Sequence, residues 1–181
     1  MEHAAPSRVM SRPATTGLVP LLRAAQGVLV LAMVAMAVIG ALFLVPGSFV
    51  QTAFLEAVPA PAPSPTTMGL ACFASVLTAA AWFWVLRMLV RVVRTVQQGD
   101  PFVEANIGRL RAMWIVIAAT EVFRMIVHSA ADIALSGTAV QPADTGLDIR
   151  IGTWFLVLVI AAISEAFRQG AEMRREQELT I

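Results

Sequence analysis

The sequence predicts an all-α membrane protein: a bundle of four transmembrane helices with a short cytoplasmic interfacial helix and a helical C-terminal tail. Three observations lead there. Apolar residues make up 58% of the 181 and charged residues only 14%, too little polarity to clothe a soluble domain of this length. Four apolar runs, at 24–45, 67–86, 113–135 and 151–167, approach the ~20 residues with which a helix crosses about 30 Å of hydrocarbon. Arginines crowd into alternate connections, as expected of a multi-pass chain whose basic loops stay on the cytoplasmic side.

The elements follow in order. Residues 1–23 are a polar cytoplasmic segment, and 24–45 is too long for the ~7–15-residue core of a signal peptide. It therefore reads as a retained anchor, with a signal cleaved after Ala60 as the alternative. Pro46-Gly47 closes the run, and the Pro-rich stretch 59–65 is an extended outer connection. Gly99 suits a helix stop, Asp100 an N-cap and Pro101 a first helical position. Val103, Ile107, Leu110 and Trp114 then recur on one face, as in a short interfacial helix before 113–135. Mixed charge at helical spacing makes 168–181 a solvated extension of the last span.

Direction comes from counting. Arg8, Arg12 and Arg23, then Arg87, Arg91, Arg94, Arg109 and Arg111, then Arg168, Arg174 and Arg175 share one side. The two other connections carry Glu56, and Asp144 and Asp148 with only Arg150. Both termini are thus expected in the cytoplasm, and the chain in the cell membrane. Trp82, Trp84 and Trp114 fall at inner span ends and Trp154 at an outer one, where amphipathic rings prefer the headgroup level. Ala37 with Ala41, and Ala71, Ser75 and Ala79, make small-residue stripes suited to close helix packing, or to a homo-oligomer.

Composition also excludes functions. A net charge of +1, with no Lys in the chain, argues against direct nucleic-acid binding. The single cysteine, Cys72, cannot form an internal disulfide, a CxxC pair or a thiolate cage. Only His3 and His128 are available as imidazole ligands, so no cofactor or metal is expected. Ser129, His128 and Asp132 hold the residue types of a hydrolytic triad, but neighbours on a helix point about 100° apart, a poor geometry for attack. No catalytic residues are assigned, and an enzyme is not expected.

Two groups of residues do invite a function. Glu121, Arg124, His128 and Asp132 fall within about 80° of one another on a helical face, as a stripe of ionisable groups inside the third run. Each would cost about 2.5 to 3.5 kcal/mol at the centre of an isolated inserted helix, so they must face protein or water and pair with one another. The stripe is either a self-neutralising polar seam or a hydrated site for a proton, an ion or a small polar ligand. The second group lies on the cytoplasmic side: Gly99, Asp100, Pro101, Phe102, Asn106, Arg109, Leu110 and Arg111 between the second and third runs, and Glu165, Phe167, Arg168, Gly170, Glu178, Leu179, Thr180 and Ile181 at the end.

On Gly99-x-Pro101-Phe102, Asn106-x-x-Arg109-Leu110-Arg111, Glu165-x-Phe167-Arg168-x-Gly170-Ala171 and Glu178-Leu179-Thr180-Ile181, the chain resembles a bacterial membrane family, domain of unknown function 2975, from the first span to the last residue. The family has no established activity. Its genes often adjoin those of small helix-turn-helix regulators, so the resemblance implies the membrane half of a regulatory pair. The expected function is a non-enzymatic component that docks a cytoplasmic partner through the inner loop and tail; the alternative is a small oligomeric transporter or channel using the third-span stripe.

Overall fold

Turn chemistry sets most helix ends. The computed structural model describes residues 17–58, 62–136 and 149–178, and there the regular elements are α1 (Leu18–Leu44), α2 (Phe49–Ala57), α3 (Pro65–Gln97), α4 (Glu104–Leu135) and α5 (Ile151–Glu178). The expected all-α class is the one observed. Ser64 caps α3 by accepting the Thr67 N–H at 3.1 Å, and Pro65 occupies the first turn, where its missing donor costs nothing. Gly99 ends α3 with φ +84°, a conformation that only glycine adopts cheaply. The Asp100 N–H bonds to the Thr95 carbonyl and the Gly99 N–H to that of Val96, the Schellman pattern that satisfies carbonyls orphaned at a helix end.

Several expectations change. Residues 18–23, read as polar segment, are the first turns of α1. A helix not foreseen, α2, folds back on α1 after Gly47: Ser48 accepts from Gln51 N and donates to the Leu42 carbonyl at 2.6 Å, while Gln51 Nε2 reaches the Phe43 carbonyl at 2.9 Å. Phe43 and Phe54 meet edge to face at 5.3 Å. The interfacial helix is not a separate element but the first turns of α4, because the apolar spacing of 103–114 runs in phase into the span with no breaker between. Asp100 is not an N-cap, nor is Pro101 a first helical residue; Val103 takes the cap position, without a side-chain bond.

Among the described residues, three helices are long and apolar enough to cross a membrane: Leu18–Leu44, Pro65–Gln97 and Ile151–Gln177. Four were expected. The 32-residue α4 is long enough but carries Glu121, Arg124, His128 and Asp132, and it is not one of the three. Apolar side chains dominate the exterior of α1 and α5, with Leu31 73% and Phe155 67% exposed, the surface of a protein solvated by lipid.

Packing follows chain order: α1 on α3, α3 on α4, α4 on α5. The core lies where the last three meet. Val85 of α3, Leu110, Met113 and Ile117 of α4 and Val157 of α5 are buried together, and Trp82, Trp84 and Trp114 pack against them, so these rings serve the core as well as any interface. Of the small-residue stripes, Ala37 and Ala79 are half-buried, whereas Ala41, Ala71 and Ser75 are exposed, and the closest approach of α1 to α3 lies elsewhere. It falls at Gly40 and Gly69, where a β-carbon on Gly40 would lie 2.9 Å from Cys72 Cβ and one on Gly69 would lie 3.2 Å from the Gly40 carbonyl. Gly40→Leu is therefore expected to pry α1 from α3 at a cost of about 1–3 kcal/mol, read as a lower midpoint of thermal unfolding in detergent; an unchanged midpoint would refute this packing.

Candidate functional site

The buried face of α4 runs Asn106, Leu110, Met113, Ile117, Glu121, at steps of three and four residues. Packing thus dictates that Glu121, one turn beyond Ile117, enters the protein interior, where it is 5% exposed. Arg124 answers it from the next turn: Nη2 donates to Oε1 at 2.6 Å, and Nε lies 3.2 Å from Oε1 and 3.3 Å from Oε2. His128 Nδ1 and Asp132 Oδ2 are 3.4 Å apart, a longer contact nearer the end of α4. Asp132 Oδ1 is buried and has no hydrogen-bond partner among the described residues. The stripe read from sequence is therefore two intrahelical pairs, one tight and buried and the other loose and half-open.

The second group assembles at the opposite end of α4. Asn106 is fully buried; its Nδ2 donates to Thr95 Oγ1 at 2.6 Å and to the Pro101 carbonyl at 2.9 Å, while its Oδ1 accepts from Arg109 Nη1 at 2.8 Å. One amide thereby ties the end of α3, the turn and the start of α4. Phe102 leaves this turn to lie on α5: its ring is 5.5 Å from that of Phe167, and a β-carbon on Gly170 would come within 2.7 Å of it. Gly170 is required here as a flat seat for the ring. Asp100 Oδ1 accepts from Arg174 Nη1 at 2.7 Å, joining residues 74 apart. Arg168 bridges Glu165 and Glu172 along α5, with Nη1 2.6 Å from Glu172 Oε1.

Most residues expected to form a partner surface are thus spent on one another. Asn106 and Leu110 are buried, Arg109 and Pro101 serve Asn106, Gly99 serves the turn, and Phe102, Phe167 and Gly170 form an internal contact. Gly99, Phe102, Arg111 and Glu165 are nonetheless exposed, and Asp100 and Arg168 partly so. Glu178 ends α5, and Leu179, Thr180 and Ile181 lie outside the described residues. Between the start of α4 and the end of α5 the assembly leaves an open groove of ≈ 610 Å³. Its charged lining is Asp100, Glu104, Glu172, Arg111, Arg168, Arg174 and Arg175, with Phe102 and Ile107 as apolar floor. The sequence reading missed Thr95, Glu104, Arg174 and Arg175 as site residues. Arg168 and Glu172 announce themselves by helical spacing, whereas no local pattern links Asp100 to Arg174.

Comparison with known proteins bears on these motifs. Residues 55–181 match the family model described as a protein of unknown function, DUF2975. The chain belongs to the DUF2975 family. No curated protein and no solved structure matches it. The DUF2975 match takes in the end of α2 and all of α3, α4 and α5, and hence the stripe, the turn and the groove; α1 precedes it, although the resemblance was expected from the first span onward. No cluster of three or more His, Cys, Asp and Glu residues able to hold a metal occurs among the described residues.

Asn106 supplies the sharpest check of this geometry. Asn106→Ala leaves the half-buried Thr95 hydroxyl and Pro101 carbonyl without their donor and is expected to cost about 1–3 kcal/mol. Trypsin should then cut at Arg109 and Arg111 several-fold faster in the detergent-purified variant than in the parent; equal rates would mean that the turn does not depend on this amide.

Proposed function

We propose that this DUF2975 protein is a non-enzymatic docking component of the cell membrane, crossing four times with both termini in the cytoplasm, and that α4 is the additional span. An exposed stripe supports the crossing: Ile115, Val122, Ile126 and Ile133 share one face of α4, each at least 45% exposed, while Glu121 and Arg124 turn inward. The alternation of arginine-rich and arginine-poor connections supports the orientation.

The observation that carries the docking reading is the union of the turn and α5 into one unit, with a charged groove at its surface. Such a groove offers paired charges of both signs to a soluble partner, and a mixed-charge rim favours specificity over raw affinity. The partner proposed is a small helix-turn-helix regulator, the class that the family resemblance implies. Holding it at the membrane would change its activity only by binding one of its states more tightly than another. A small helix-turn-helix regulator, if one is encoded beside the gene, should co-sediment with proteoliposomes holding the full chain and be lost when Gly170→Leu unseats Phe102. Failure of the parent protein to retain it would overturn the reading.

A second reading has its own observation. A buried Glu121–Arg124 pair, followed along α4 by a buried Asp132 oxygen with no partner among the described residues, is costly in an apolar layer and suits an intramembrane site for a proton or small polar ligand in an oligomeric transporter. Proton flux into proteoliposomes, abolished by Arg124→Ala, is the expected sign; the absence of flux through the parent protein would dismiss it.

A further inference from the structure

The groove and the exposed stripe of α4 are continuous, and that continuity points to a ligand. At ~100° per residue, Arg111, Ile115, Val122, Ile126 and Ile133 fall within about 60° on one face of α4. All five are exposed. The stripe is therefore cationic where it borders the groove and apolar along the rest of its length. Arg175 reaches the same groove from α5.

The arginines of the groove differ in how they are engaged. Arg168 is held by Glu165 and Glu172, and Arg174 by Asp100. Arg111 and Arg175 make no hydrogen bond or ion pair among the described residues, although Arg111 acts on Glu165 through space. Two guanidinium groups without a bonded carboxylate thus border a groove that opens onto an apolar face. A phosphodiester matches such a pair, since its oxygens accept the planar donors of arginine. A soluble phosphate ester would use the arginines and leave the apolar stripe idle; a phospholipid uses both.

We infer that the α4–α5 groove binds an anionic phospholipid of the adjoining leaflet, its phosphate held by Arg111 and Arg175 and its acyl chains laid along Ile115, Val122 and Ile126. The inference rests on the crossing of α4 and α5 proposed above. A lipid so bound would support the turn assembly from the membrane side and share its groove with any docking partner.

Native mass spectrometry of the full chain tests it, with phosphatidylglycerol and phosphatidylcholine of identical acyl chains as probes. The parent protein should retain phosphatidylglycerol about tenfold better, a difference of about 1.4 kcal/mol, since two arginines face the headgroup. R111A/R175A should bind both lipids alike, while R87A/R91A, exposed on α3 outside the groove, should keep the preference. Glu104→Gln, which removes an opposing charge from the lining, should strengthen it several-fold. Equal retention of the two lipids by the parent, a preference surviving in R111A/R175A, or a weaker one in Glu104→Gln would overturn the site. So would displacement of phosphatidylglycerol by millimolar glycerol 3-phosphate, which would assign the groove to a soluble ester. The topology has a separate readout: a cysteine at Gln177 in a Cys72→Ser chain should resist impermeant maleimide in intact cells. Labelling from outside would reverse the orientation and leave the lipid preference standing.

Discussion

A carboxylate buried in protein must meet a cation, and the arrangement of α4 depends on that constraint. Glu121 and Arg124 sit in the middle of α4, one turn beyond the buried apolar run Leu110, Met113 and Ile117, and an unpaired charge buried there would cost several kcal/mol. Turning them inward fixes the rotation of α4. The same rotation buries Asn106, Leu110, Met113 and Ile117 and leaves Ile115, Val122 and Ile126 outside. With its buried face shared between α3 and α5, α4 becomes the axis of the molecule, and α1 packs chiefly on α3.

At the other end of that face, a neutral amide takes the place of the ion pair. Asn106 can be wholly buried because each of its polar atoms meets a partner from a different piece of local structure: a threonine hydroxyl, a turn carbonyl and an arginine. The turn so held delivers Phe102 to α5 and Asp100 to Arg174. Motifs spread over more than sixty residues of sequence thus have one structural outcome, a rigid unit joining the α3–α4 turn to α5. The presence of Gly99, Pro101, Phe102, Asn106 and Gly170 in this chain is accounted for by this union without a partner, which moves the search for function to the groove beside it.

Much of this was legible in the residues, for stated reasons. Helix class follows from apolar runs, and the end of α3 from Gly99, because turn chemistry acts within four residues; Ser64 and Pro65, read as part of an extended connection, instead cap and open α3. The pairs on α4 were readable because helical spacing is a local rule. Less legible were α2, whose side-chain bonds run back to the end of α1, and the unity of α4, whose early turns have the composition of a surface helix and the phase of a buried one.

By itself, then, the sequence determined that the chain is helical and apolar, where Gly99 stops α3, and which ionisable residues share a face of α4. Each is a matter of covalent geometry or periodicity within a few residues. Tertiary structure alone decided that Gly40 and Gly69 are where α1 meets α3, that Gly170 is the seat of Phe102, and that Arg174 belongs to Asp100. Those facts depend on how helices approach in space, and a residue without a side chain gives no sign of what will come to rest against it.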